Sequence, residues 1–170
     1  NDADGKNTIF NITSNWFVNN ESLLKVNIPF ERNTSYVLDY SGLNNSAIIR
    51  GSVVCGPNLG RFGASGGCNT TGGSGNMLNI SFNQNLNFTT EFTLEAWVYK
   101  TSSAANNIIL QKGPVASENF ELDTAGGGGN TLRGVVRNQS GTQQLTATDS
   151  ATFPSGVWQH VALTLDTNTM

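Results

Sequence analysis

The chain has 170 residues, nine Lys and Arg against twelve Asp and Glu, one His, two Cys and a formal charge of −3, a length suited to one domain with at most a short appendage. Its apolar runs, such as Ala47-Ile48-Ile49, fall far short of the roughly 18 residues that a membrane-spanning helix needs. The cations are scattered singly along an acidic chain, which leaves no basic field to attract nucleic acid.

Asn supplies 23 residues, and Asn, Gly, Thr and Ser together make 75 of the 170, while 12% are charged. Small polar side chains compete for backbone hydrogen bonds, so they favour turns and β surfaces over helix. From Lys6 to Val18 the residues alternate, with Phe10, Ile12, Trp16 and Val18 on one face, which predicts a strand. Asn19, Asn20, Glu21 and Ser22 break it. Residues 1–22 are therefore expected to be a strand and linker, either the end of a preceding domain or a strand that pairs with a neighbouring subunit, with a domain at 23–170. The chain begins at Asn1 with no Met and no leader, as a processed form or fragment does.

Downstream, strands are expected at 26–30, 36–40, 47–55, 76–82, 92–99, 108–111, 120–124, 132–136, 143–148 and 157–166, punctuated by Gly- and Asn-rich turns at 39–45, 66–75 and 125–130. Many short strands without helix read as an antiparallel β-sandwich. Each of two strands has a distinctly apolar face: Phe92, Leu94, Ala96 and Val98 in one, Val161, Leu163 and Leu165 in the other.

Two features point outside the cytoplasm. Cys55 and Cys68 flank a glycine-rich loop that can bring the sulfurs together. Closing such a loop of about 15 residues stabilises by about 3 kcal/mol on the loop-entropy account, and disulfides persist in oxidising compartments. The alternatives are two unpaired thiols or a metal site, the latter poorly served by two Cys and one His. Asn-x-Ser/Thr sequons occur at Asn11, Asn20, Asn33, Asn44, Asn69, Asn79, Asn87 and Asn138. Composition alone would give about five, and such sites matter only in a secreted protein.

Four stretches together resemble the laminin-G-like, concanavalin A-like jelly-roll superfamily, in the branch found in large microbial surface proteins. They are Ile28-Pro-Phe-Glu with Leu38-Asp-Tyr-Ser-Gly-Leu-Asn-Asn, then Phe92-Thr-Leu-Glu-Ala-Trp-Val-Tyr, Ile109-Leu-Gln-Lys-Gly, and Gly156-Val-Trp-Gln-His-Val-Ala-Leu-Thr-Leu-Asp. The resemblance covers about 23–170 and implies a jelly roll with further closing strands. The chain stops at Met170, so those strands are expected to be missing or supplied by another chain, leaving an open edge. It also implies that the turn from Asp39 to Gly42 can hold calcium, with Asp39 and Asn44 as side-chain ligands, the alternative being an Asx-turn in which Asp39 accepts amide hydrogens of its own loop.

Catalysis is not expected. A laminarinase-type glycosidase of this fold needs Glu-x-Asp-x-x-Glu on one strand. Glu121-Leu-Asp123 matches the first half, but the next position is Gly126, and nothing in the spacing of Glu91, Glu95 or Glu118 makes one of them the second carboxylate. No Gly-x-Ser-x-Gly elbow serves His160, expected to be a structural strand histidine beside Trp158. Trp16, Trp97 and Trp158 could stack on sugars, although Trp97 and Trp158 are expected in the core and Trp16 in a contact between domains or subunits. The resulting expectation is a non-enzymatic extracellular adhesion or recognition module of a cell surface, binding glycan or protein. The other is a structural subunit of a surface layer or filament, assembled by strand exchange with its own copies.

Overall fold

The computed structural model describes residues 16–31, 35–62, 65–73, 75–88, 91–103, 107–113, 119–126, 130–137 and 143–166. The described chain is all-β and antiparallel, with one 3-10 turn at Gln84–Leu86, as expected for a jelly-roll sandwich. No helix among the described residues is long and apolar enough to cross a membrane. Two compact units divide it, Asn1–Asn87 and Phe88–Met170.

The first unit contains a hairpin, β1 (Phe17–Val18) with β2 (Glu21–Ser22), a three-stranded sheet in the order β3 (Tyr36–Val37), β4 (Ala47–Arg50), β7 (Met77–Ile80), and the ribbon β5 (Val54–Pro57) with β6 (Gly66–Asn69). Val37, Ala47, Val53 and Cys55 form its core, with Ile28, Phe30, Ile49, Cys68, Leu78 and Ile80 packed around them. Cys55 and Cys68 sit directly opposite in the β5–β6 register and form the expected disulfide.

Four details of this unit differ from the sequence reading. Asn19 and Asn20 form a two-residue hairpin turn with φ of 51° and 67°, a backbone that Asn tolerates, so the chain doubles back where a linker was expected. The run 47–55 is two strands, because Gly51 turns the chain at φ 65° and Asn76 Oδ1 accepts the Ser52 amide there. Residues 66–69, read as turn, pair with β5. Residues 26–30, read as a strand, lie outside any sheet, and Phe30 turns the chain at φ 59°.

The second unit is a two-layer sandwich. One layer is the sheet β12 (Gln143–Thr152), β11 (Thr131–Arg137), β10 (Phe120–Gly126), β9 (Ile108–Lys112), and the other is the ribbon β13 (Trp158–Asp166) with β8 (Glu91–Tyr99). All nine β8 residues pair with β13 without a register shift. Leu122, Phe153 and Val161 are buried between the layers, against Ala96, Val98, Ile109, Leu110, Leu132 and Leu163. Phe92 extends this core, its ring centroid 5.7 Å from that of Phe88 and 5.2 Å from that of Phe120.

Gly134 sets how closely the layers approach. A Cβ at this position would lie 2.6 Å from Leu163 Cδ1, inside any real contact, so the strand carries glycine where Leu163 presses in. At the layer's edge the buried Lys100 ammonium donates to Asn130 Oδ1 and, at 3.3 Å, to Thr124 Oγ1, and burial lowers its pKa. The Gly156 amide donates to Lys100 O, and Asn130 exchanges hydrogen bonds with Phe153 through its side chain and its carbonyl. This polar lattice ties the ends of β8, β11 and β12 to the start of β13.

Replacing Gly134 with Val is expected to force the layers apart and to destabilise the chain by about 1–3 kcal/mol. Denaturant unfolding of Gly134→Val beside a distant surface variant measures it.

Candidate functional site

The period-two geometry of β8 and β13 decides which side chains face out. Ala96, Val98, Val161 and Leu163 turn toward Leu122, so the opposite face carries Glu91, Thr93, Glu95, Trp97 and Tyr99 from β8, paired with Asp166, Thr164, Ala162, His160 and Trp158 from β13. The expectation that Trp97 is a core residue therefore fails. Trp97 is 43% exposed and Tyr99 46% exposed, and Trp158 shares their face. The inner positions take small Ala96 and branched Val98, which fit the close approach of the layers, and the indole is left to the outer face.

On that face four rings form two cross-strand pairs. Trp97 and His160 have centroids 5.1 Å apart, Tyr99 and Trp158 5.5 Å apart, both tilted. His160 thus meets Trp97, its register partner, rather than Trp158. Glu95 Oε2 lies 3.5 Å from His160 Nε2, and the Thr93 and Thr164 hydroxyls are 3.1 Å apart. An exposed aromatic row with acceptor groups beside it suits ligands that offer apolar faces edged with hydroxyls. Trp16, the third indole of the chain, belongs to the first unit and is 70% exposed.

Glu121 and Asp123 are both buried and share a face of β10, as their spacing implies. Arg133, which sequence reasoning did not single out, sits opposite Asp123 on β11. Its Nε donates to Asp123 Oδ1 at 3.1 Å, and its Nη2 donates to Asp123 Oδ2 and, at 3.3 Å, to Glu121 Oε1. Burial alone would raise the Asp123 carboxyl, but hydrogen bonding with Glu121, Arg133 and the Ala125 amide, with the Arg133 charge, holds it below the ordinary value. One guanidinium spanning both carboxylates is a cross-strand clamp. The basic residue in the facing strand was the available signal for it, but register cannot be read from spacing. Glu118 lies outside the described residues; Glu91 stands opposite Asp166 and Glu95 opposite Ala162.

Asp39 behaves as the Asx-turn alternative describes. Its Oδ1 accepts the Asn27 amide at 2.8 Å and the Ser41 amide at 2.9 Å, and its Oδ2 accepts the Ser41 hydroxyl at 2.6 Å and the Asn45 amide at 2.8 Å. Four donors occupy the four lone-pair directions of the carboxylate. Asn44 is exposed at φ 59° and shapes the turn. Among the described residues no three His, Cys, Asp or Glu side chains gather as metal ligands. Asn45, which sequence reasoning passed over, is buried at 2% exposure, donates to Lys25 O and Asn85 Oδ1, and accepts from Asn83 Nδ2.

Of the remaining expected positions, Asn20, Asn44, Asn69, Asn79 and Asn87 are all exposed, while Asn11, Asn33 and Asn138 lie outside the described residues, as do Phe10 and Ile12. Val18 is exposed on the β1–β2 hairpin.

Burial tends to raise the Asp39 carboxyl, but the Ser41 hydroxyl and the three amides outweigh it and keep the group below its ordinary 3.8. A carboxyl depressed in the folded state contributes fully above its unfolded pKa and loses that contribution as pH falls through the folded value. Asp39→Asn is expected to lower stability at neutral pH by about 1–3 kcal/mol. The deficit should shrink in acid below about pH 4, where the native residue too loses its charge, and unfolding measured against pH in both proteins checks it.

A comparison with family models places residues 71–170 in the concanavalin A-like lectin/glucanases superfamily. The match contains both strands of the aromatic ribbon and the whole second unit. No curated protein and no solved structure matches the chain. With more than half its length matched, and with the antiparallel two-layer unit that the superfamily's name implies, the chain belongs to the concanavalin A-like lectin/glucanases superfamily.

Proposed function

We propose that the protein is a non-enzymatic extracellular recognition module that binds glycan on the outward face of the β8–β13 ribbon. The observation that carries this reading is the row Trp97, His160, Tyr99 and Trp158, four rings on an exposed sheet face. Aromatic faces match the apolar faces of pyranose rings, and the neighbouring Thr and Glu side chains accept or exchange hydrogen bonds with hydroxyls. Membership of a superfamily of lectins and glucanases is compatible with carbohydrate binding, though fold alone is weak warrant for function.

Against hydrolysis stands the state of Glu121 and Asp123. A glycosidase needs two carboxylates placed on either side of a scissile bond, and these two are buried around one guanidinium. The disulfide and the exposure of the described sequons support an oxidising, secreted setting. A second reading, a structural subunit joined to its own copies, draws on the β1–β2 hairpin, where Trp16, Phe17 and Val18 are 70%, 60% and 53% exposed.

Trp97→Ala is expected to keep the fold and to weaken glycan binding by about 2 kcal/mol, roughly thirtyfold, in calorimetry against a panel of oligosaccharides, with no reducing sugar released by either protein. Unchanged affinity would remove the ribbon from the binding site. If the structural-subunit reading holds instead, the purified chain should assemble in sedimentation velocity runs, and Trp16→Ser with Val18→Ser should return it to monomers.

A further inference from the structure

Lys100, the residue after β8, is 7% exposed, Asn130 8% and Thr124 1%. Lysine is almost never fully buried unless it is paired, and taking an isolated ammonium out of water is costly. Among the described residues the Lys100 side chain has two hydrogen-bond partners, Asn130 Oδ1 and, at 3.3 Å, Thr124 Oγ1, and neither carries a charge. Burial accordingly favours the neutral amine and lowers its pKa. A desolvated neutral lysine is a nucleophile, and the Oδ1 atom that it meets is bonded to the electrophilic carbon of the Asn130 carboxamide. That carboxamide is held in place. Asn130 Nδ2 donates to Phe153 O at 3.0 Å, and the Asn130 carbonyl accepts the Phe153 amide at 2.6 Å.

From this juxtaposition we infer that Lys100 and Asn130 join through their side chains in an intramolecular amide, a covalent cross-link between the residue that follows β8 and the residue that precedes β11, thirty positions apart. The neutral Nζ attacks Asn130 Cγ, an Nζ–Cγ bond forms, the Cγ–Nδ2 bond breaks, one proton passes from Nζ to Nδ2, and ammonia leaves. Thr124 Oγ1 is the hydroxyl within reach of Nζ to relay that proton, and it is itself held by the Asn107 amide at 3.3 Å. The step uses no oxidant, reductant or second substrate. A carboxamide is a poor acyl donor in water, so the reaction depends on an amine kept neutral by burial and fixed beside the carbonyl. Both cysteines of the chain lie in the first unit, where they form the disulfide. The amide gives the second unit a covalent staple of its own, one that ties the ribbon to the sheet and that reducing agents do not open.

The test is the intact mass of the full chain, produced without N-glycans, incubated folded at neutral pH and then denatured and reduced. The expected mass lies below that of the sequence by one ammonia. Trypsin should then cleave after Lys112 but not after Lys100, and the peptides on either side of Lys112, one carrying Lys100 and the other Asn130, should stay joined. Lys100→Arg and Asn130→Ala should each restore the full mass of their own sequence and release the two peptides separately. A native chain with the full sequence mass and ordinary cleavage after Lys100 would overturn the inference, whether or not the variants fold. Loss of ammonia that persists in Lys100→Arg would overturn it too, because an asparagine that closes on its own backbone as a succinimide sheds the same mass without any lysine.

Discussion

The packing of Ala96, Val98, Val161 and Leu163 against Leu122 and Phe153 is the constraint on which the second unit depends. The layers can approach this closely because Gly134 leaves room for Leu163, and close approach calls for small and branched side chains on the inner face of the ribbon. Once those positions are fixed, the strand's period of two leaves no choice about the rest. Trp97, Tyr99, Trp158 and His160 must share the opposite face, in cross-strand pairs set by an unbroken register. The exposed aromatic row is thus a consequence of how the core is filled.

Polar groups inside the protein are used as fasteners. Asp39 gathers amides from two separate segments, and Asn45 joins the Lys25 carbonyl to Asn83 and Asn85, so loops that lack sheet partners are still held by specific hydrogen bonds. Arg133 does the same between β10 and β11 with two carboxylates. A buried charge stripped of its partner is costly, which makes these clusters fixed points of the fold. On the surface, rings, hydroxyls and carboxylates stand together on one ribbon.

Much of this was legible in the sequence. Strands β8 and β13 declared themselves because Phe92 to Tyr99 and Val161 to Asp166 alternate without interruption, and the disulfide was visible from Cys55, Cys68 and the glycines between them. The faces were harder to read. Both sides of β8 carry large apolar residues near its end, and local pattern cannot rank Ala96 and Val98 against Trp97 and Tyr99 when the deciding contact, Leu163 over Gly134, comes from distant positions. The turns misled for a related reason. Gly66 to Asn69 has turn composition but is drawn into a strand by its register with Val54 to Pro57, and Asn19-Asn20, read as a break, is a tight hairpin because both residues accept positive φ. Asn45 and Arg133 escaped notice because their partners lie far along the chain.

The central claim is that the outward face of β8 and β13 is where the ligand lies. Chemical-shift mapping by nuclear magnetic resonance tests it most directly, with the isotopically labelled chain titrated by a neutral hexasaccharide that binds it. The account predicts that the perturbed signals are the indole N–H groups of Trp97 and Trp158 and the ring resonances of Tyr99 and His160, with the core methyl groups of Leu122 and Val161 unmoved. Perturbations centred on the Asp39 loop or on the β1–β2 hairpin, with the Trp97 and Trp158 signals unchanged, would contradict it.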